Sequence, residues 1–285
     1  MLLLAPLVTG AQDRAVIYVV NYPLQYFAGR IAGDLVDVVF PVPPGEDPAF
    51  WRPDAEAVSG YQQADLILLN GAGYAKWVNR VSLPRSKTVD TSRAFRDRFI
   101  ATEGGASHSH GREGEHAHAG TAFTTWLDFN QAAAQANAVR DALSRLLPRH
   151  ATTFDKNFAA LEQDLADLDA RMKDAGEGGR NAPLLASHPV YQYLARRYSL
   201  NLKEVLWEPD VMPPESEWQM LKSLLDTHPA KGLIWEGEPS AYAVNRLRQL
   251  GIQSTVFDPC GNRPETGDFL SVMENNVKNI KPLLR

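Results

Sequence analysis

The chain reads as an α/β protein of two lobes, each built on a parallel sheet, joined by one long rigid helix. Three observations predict this. Short apolar runs at 15–20, 36–40 and 65–69 alternate with longer helical patterns. The same rhythm restarts after residue 182, with runs at 183–186, 232–235 and 254–257, and such alternation indicates parallel strands joined by helical crossovers. Between the two blocks, Phe154, Phe158, Leu161, Leu165, Leu168 and Met172 fall at spacings of four and three with charged residues between them. That is the stripe of a single amphipathic helix.

In chain order, residues 1–13 open on an apolar stretch that ends in small residues and lacks a basic start. They read as the remnant of a signal peptide, with an apolar first strand as the alternative. Residues 14–147 make the first lobe, 148–177 the joining helix and 178–285 the second lobe. Pro148 suits a helix start and Gly176, Gly178 and Gly179 its end, so the helix should run roughly 25 residues, or nearly 40 Å. Helices are expected near 190–198, 216–226, 239–250 and 267–283. The apolar fraction of 44% suffices for two cores, each of roughly 100 to 150 residues. No later stretch reaches the roughly 18 apolar residues of a membrane span.

A formal charge of -5 excludes the concentrated positive field that nucleic acid requires. Cys260 is the only cysteine, so an intramolecular disulfide and a thiolate-rich zinc cluster are both excluded. Any metal would need histidine and carboxylate ligands. The nucleophile elbow Gly-x-Ser-x-Gly, the phosphate loop and His-Glu-x-x-His are all missing. Asn70-Gly71-Ala72-Gly73 lacks the third glycine of a dinucleotide fingerprint and reads as a tight turn. No organic cofactor is expected, and an enzyme is not the reading; its remaining form would be a hydrolase with metal-bound water at His188, Asp258 and Glu236.

Residues 104–120 are low in complexity and carry four of the seven histidines, His108, His110, His116 and His118, as two His-x-His pairs. Such a loop contributes no core and can gather a metal ion weakly, because ordering its backbone offsets the ligand bonds. A solvated linker is the alternative. His188, Glu236 and Asp258 each follow an apolar run of the second block. The carboxyl ends of strands are where α/β sheets place ligands, so three metal-capable side chains would emerge from one sheet edge.

Further landmarks are Tyr22-Pro23-Leu24 after the first run, Asp47-Pro48, Ala64-Asp65 through Asn70-Gly71 with Trp77 beyond, and Trp126-Leu127-Asp128. Ser187-His188 with Tyr193 to Tyr198, and Asp258-Pro259, complete the set. Together they resemble, nearly end to end, the periplasmic metal-binding proteins of zinc and manganese ABC importers. That resemblance implies two lobes on one linker helix, export to the periplasm, a monomer, and a membrane permease as partner. The transported ligand would be zinc or manganese, held in the cleft by three His, or two His and a Glu, plus one Asp. Only His188 and Asp258 match. Ala49 and Thr124 stand where the other two ligands are expected, leaving Asp47, Glu46 and Glu236 as substitutes that would suit a harder ion. The alternative is the same fold binding a metal complex, a small organic ligand or a protein partner, with Trp51, Phe50 and Trp126 lining its pocket. Metal affinity is expected to fall below about pH 6 as His188 protonates.

Overall fold

The computed structural model describes residues 14–102, 107–109, 115–117, 120–177 and 181–285. The expected signal segment 1–13 therefore lies outside the described residues. The first lobe holds β1 (Ala15–Val19), α1 (Tyr22–Ala32), β2 (Val36–Val39), α2 (Ala55–Gln63), β3 (Leu66–Leu69) and β4 (Thr88–Asp90). Two small antiparallel ladders follow, β5 (Ala101–Thr102) with β8 (Gly120–Thr121) and β6 (Ser107–Ser109) with β7 (Glu115–Ala117). Then come α3 (Phe129–Leu146) and the long α4 (Ala151–Glu177). The second lobe contains β9 (Pro183–Ala186), α5 (Gln192–Tyr198), β10 (Asn201–Glu204), α6 (Glu215–Thr227), β11 (Gly232–Trp235), α7 (Ala241–Gln249), β12 (Gln253–Val256) and α8 (Phe269–Ile280).

Both main sheets are four-stranded and wholly parallel, in the orders β2-β1-β3-β4 and β10-β9-β11-β12. The two sheets thus share one strand order, and each has its switch point between its first and third strands. Sequence patterning found the central strands, which are buried on both faces and read as continuous apolar runs, and also the edge strands β2 and β12, whose runs are largely apolar or β-branched. It missed β4 and β10, edge strands whose Thr-Val-Asp and Asn-Leu-Lys-Glu show no fully buried side chain. The Asn70–Gly73 turn is as tight as its composition suggests. Gly71 has φ +78, and a Cβ there would lie 1.8 Å from Ser92 Oγ.

The expectation of two separate cores needs correction. One apolar cluster runs from Ile17 in β1 through the α4 stripe to Ile234, Phe257 and Leu284, and a smaller one, containing Trp207, Trp218 and Trp235, covers the other face of the second sheet. The cause is α4, which packs on α1 and α3 of one lobe and on α5 and α8 of the other. Every member of its predicted stripe is buried. At 27 residues it is about 40 Å long. Charged groups fasten its central turns: Arg30 of α1 reaches Asp164 at 2.7 Å, and Arg197 of α5 grips Asp169 through Nε at 2.9 Å and a terminal nitrogen at 2.7 Å. Burial opposes the charge on Asp169, but hydrogen bonds from Arg197, Lys173 and Tyr198 hold its carboxyl below the usual range.

The lobes also meet directly. Tyr22 N–H donates to Gly261 O (2.9 Å), Trp126 Nε1 to Pro259 O (2.7 Å), Tyr193 Oη to Ala122 O (2.9 Å) and Asn262 Nδ2 to Pro43 O (2.7 Å). Because the apolar stripe of α4 packs on elements of both lobes and Leu161 is fully buried in it, Leu161→Ala should lower stability by about 2–5 kcal/mol. Denaturant unfolding checks this, with one transition expected for the whole chain.

Candidate metal site at the second sheet

The second sheet ends in three turns that converge. β9 runs into Ser187-His188-Pro189, the chain after β10 into Trp207-Glu208-Pro209, and β11 into Glu236-Gly237. The switch point of an open parallel sheet leaves a crevice at its carboxyl edge, and here it lies between β9 and β11. His188 sits in that crevice with no exposed surface. Its Nε2 is 3.2 Å from Glu208 Oε1 and its Nδ1 is 3.0 Å from Glu236 Oε1. One donor atom from each of the three residues lies within 4.8 Å of the others, the one such group among the described residues.

Both glutamates follow a buried tryptophan. Trp207 and Trp235 stand 6.1 Å apart by ring centroids, and Trp207 lies 4.5 Å from Trp218 of α6. The apolar cluster beneath the sheet edge therefore anchors the backbone on which each carboxylate is mounted. Glu208 was missed in the sequence because β10 was missed, so no strand end marked it. The signal that would have found it is the repeated Trp-Glu pair, Trp207-Glu208 and Trp235-Glu236.

Burial works against charge on the His188 ring, yet hydrogen bonds and ion pairing with Glu208 and Glu236 outweigh it and raise its pKa to about 9. The ring therefore keeps its proton to a higher pH than the ordinary histidine value on which the sequence reading rests. Asp258, after β12, is pushed upward by burial and by the neighbouring Glu236, while the Cys260 N–H at 2.6 Å opposes this. Its backbone is pinned by Asn276 of α8, whose Oδ1 accepts from Asp258 N–H at 3.0 Å. Tyr191 is buried nearby, its hydroxyl donating to Phe257 O at 2.8 Å. Burial, then Glu236 and Asp258, hold that hydroxyl well above its ordinary pKa.

The first lobe is chemically different at its own switch point. Asn21 follows β1, Asn70 follows β3, and Asn21 Nδ2 donates to Asn70 Oδ1 at 3.1 Å. Gln135 Nε2 donates to the same oxygen (3.1 Å) and to Thr91 Oγ1 (3.0 Å), and all four side chains are buried. This crevice is closed by neutral amides. Asp47 accepts from Ala49 N–H at 2.8 Å, and both Asp47 and Glu46 are exposed. Neither they nor Asp258 belong to the three-residue donor group. Thr124 Oγ1 donates to Val190 O across the lobes, and Ala49 is buried. Of the histidine-rich segment, His110 and His118 lie outside the described residues, while His108 and His116 are directly opposite in the β6·β7 ladder. A short ladder thus lies within the segment read as a low-complexity loop, at 107–109 and 115–117.

A folded-state pKa of about 9 against an ordinary 6.5 has a stability consequence. The His188 ion pairs contribute stability that is fully present below pH 6.5 and lost as pH rises through about 9. In metal-stripped protein, Tm should decline over that window, and Glu208→Gln with Glu236→Gln should flatten the decline.

Residues 17–282 match the family described as zinc-uptake complex component A, periplasmic, or ZnuA. The zinc-binding lipoprotein AdcA of Streptococcus pneumoniae is 27% identical over 272 residues, covering 91% of this chain and 54% of that relative. The chain thus spans about half the length of AdcA. The manganese ABC transporter substrate-binding lipoprotein PsaA of Streptococcus pneumoniae is 24% identical, with 95% of this chain and 89% of PsaA covered. Among solved structures, the metal-dependent lipoprotein YcdH from Bacillus subtilis superposes with a TM-score of 0.80 at 19% identity, covering 95% and 99% of the two chains. The Zn(II)-bound ZnuA-like domain of Streptococcus pneumoniae AdcA gives 0.79 at 22% identity, again covering 95% and 99%. These structures share the two parallel-sheeted lobes and the long helix. A match extending from β1 to the end of α8 makes this chain a member of the zinc-uptake component A family.

Proposed function

We propose that this chain is the solute-binding component of an ABC importer for a divalent metal ion, zinc or manganese, and that it captures the ion rather than catalysing a reaction. It acts outside the cytoplasmic membrane and delivers the ion to a membrane permease. The observation that carries this reading is the buried His188 set between Glu208 and Glu236 at the carboxyl edge of the second sheet. Two carboxylates against one imidazolium leave net negative charge in a low-dielectric crevice, which favours a dication once the proton leaves. AdcA and PsaA, which carry zinc and manganese in their names, support the choice of cargo.

The ion is placed on the Glu236 side of the ring, where Asp258 supplies a second carboxylate, and Glu208 keeps the other ring N–H. A metal-bound histidine ordinarily donates its second nitrogen to such an outer partner. Ala49 and Thr124 add no metal donor, the Thr124 hydroxyl being committed to Val190 O. Asp47 and Glu46 remain rim carboxylates that attract the cation, and His108, His110, His116 and His118 a low-affinity collector. No helix among the described residues is long and apolar enough to cross a membrane.

A second reading, a metal ion arriving with an organic co-ligand, is favoured by one feature of the first lobe. Phe50, Phe123, Tyr74 and Trp126 form an edge-to-face series with centroid separations of 6.2, 5.3 and 5.6 Å. This aromatic rim stands where the family resemblance implies two further ligands.

Calorimetric titration of metal-free protein with zinc and manganese chloride tests the main reading. One-to-one binding should survive deletion of residues 104–119 and weaken by at least about a hundredfold in His188→Ala. Weak multi-site binding that disappears with residues 104–119 would exclude a cleft site. Because metal must displace the His188 proton, affinity should rise about tenfold per pH unit from pH 6 toward 9, with about one proton released per ion.

A further inference from the structure

Ser187, one residue before the histidine, has no exposed surface and is the point at which the three donor-bearing turns are tied together. Its N–H donates to Ile234 O of β11 at 2.9 Å, and its carbonyl accepts from Trp207 N–H at 2.8 Å. Its side-chain Oγ accepts from Glu236 N–H at 3.2 Å. The first two contacts are backbone and independent of side-chain identity. The third is not. Without it, the N–H of the residue carrying a donor carboxylate loses its recorded partner just where strand pairing has ended, since Trp235 is the last β11 residue in register with β12.

We propose that Ser187 is a positioning residue of the metal site, whose hydroxyl oxygen sets the placement of Glu236 against the His188 ring. The inference rests on the metal-site reading above. A donor displaced by a fraction of an ångström loses ion affinity out of proportion to fold stability, because coordination distances are narrow while a single hydrogen bond contributes modestly to folding. The Ser187 hydroxyl oxygen is engaged by the Glu236 N–H, so it acts through Glu236.

The test is a double-mutant cycle in the full chain, with zinc and manganese chloride as probes. Ser187→Ala should weaken binding about tenfold, whereas Glu236→Ala and the double variant Ser187→Ala with Glu236→Ala should bind equally poorly. Ser254→Ala is the control. Ser254 sits on β12 of the same sheet, its buried hydroxyl has no hydrogen-bond partner among the described residues, and its loss should leave affinity unchanged. A tenfold loss that persists in the Glu236→Ala background would overturn the proposal, as would unchanged affinity in Ser187→Ala.

A readout without metal separates this inference from the cargo assignment. In ¹⁵N-histidine-labelled, metal-free protein at pH 7, Ser187→Ala should move or broaden the His188 Nδ1–H resonance and leave the Nε2–H resonance beside Glu208 in place. Two unchanged resonances would reject the positioning role. Should the wild type bind neither ion, the cargo reading fails while this measurement still decides the role of Ser187.

Discussion

The structure turns on one constraint, a fully buried imidazole held between two carboxylates at the switch point of the second sheet. Burying a charged ring is costly unless it is paired, and breaking such a pair leaves an uncompensated charge. Glu208 and Glu236 offset that cost for His188 and at the same time fix the orientation of the ring. Their own placement depends on elements that never approach the site. Trp207, Trp218 and Trp235 form the apolar floor, and Ser187 joins the backbones of the β9, β10 and β11 turns.

The two lobes share a strand order but not a chemistry. At the first switch point, Asn21, Asn70, Gln135 and Thr91 satisfy one another with neutral hydrogen bonds, a closed network that rigidifies the lobe. At the second, charged groups converge and remain partly accessible through the glutamates, whose side chains are 19% and 20% exposed. Donor chemistry is therefore concentrated in one lobe. The other contributes an aromatic rim and a set of hydrogen bonds to the turns that follow β9 and β12, at Val190, Pro259 and Gly261.

Helix α4 makes that juxtaposition lasting. Its apolar stripe belongs to a core that runs through both lobes, and Arg30, Arg197 and Arg171 tie its polar flank to α1, α5 and α8. Large hinge motion would expose this core and is disfavoured, so the cleft is defined by side-chain placement more than by opening of the lobes.

The sequence by itself determined the α/β class, the central strands, the α4 stripe and the positions of His188, Glu236 and Asp258 at strand ends of the second sheet, because periodicity and strand-end position are local properties of the chain. Edge strands β4 and β10 escaped it, since Thr-Val-Asp and Asn-Leu-Lys-Glu hold a single apolar residue each and so lack the run that marks a strand. Glu208 escaped for the same reason, although the repeated Trp-Glu pair was present in the chain. Only tertiary structure decided that His188 meets Glu208 across 20 residues and Glu236 across 48, that its ring holds a proton to about pH 9, and that Thr124 spends its hydroxyl on Val190. Those outcomes depend on how parallel strands are ordered and on what shares a buried crevice, which are distances through space that residue spacing does not encode.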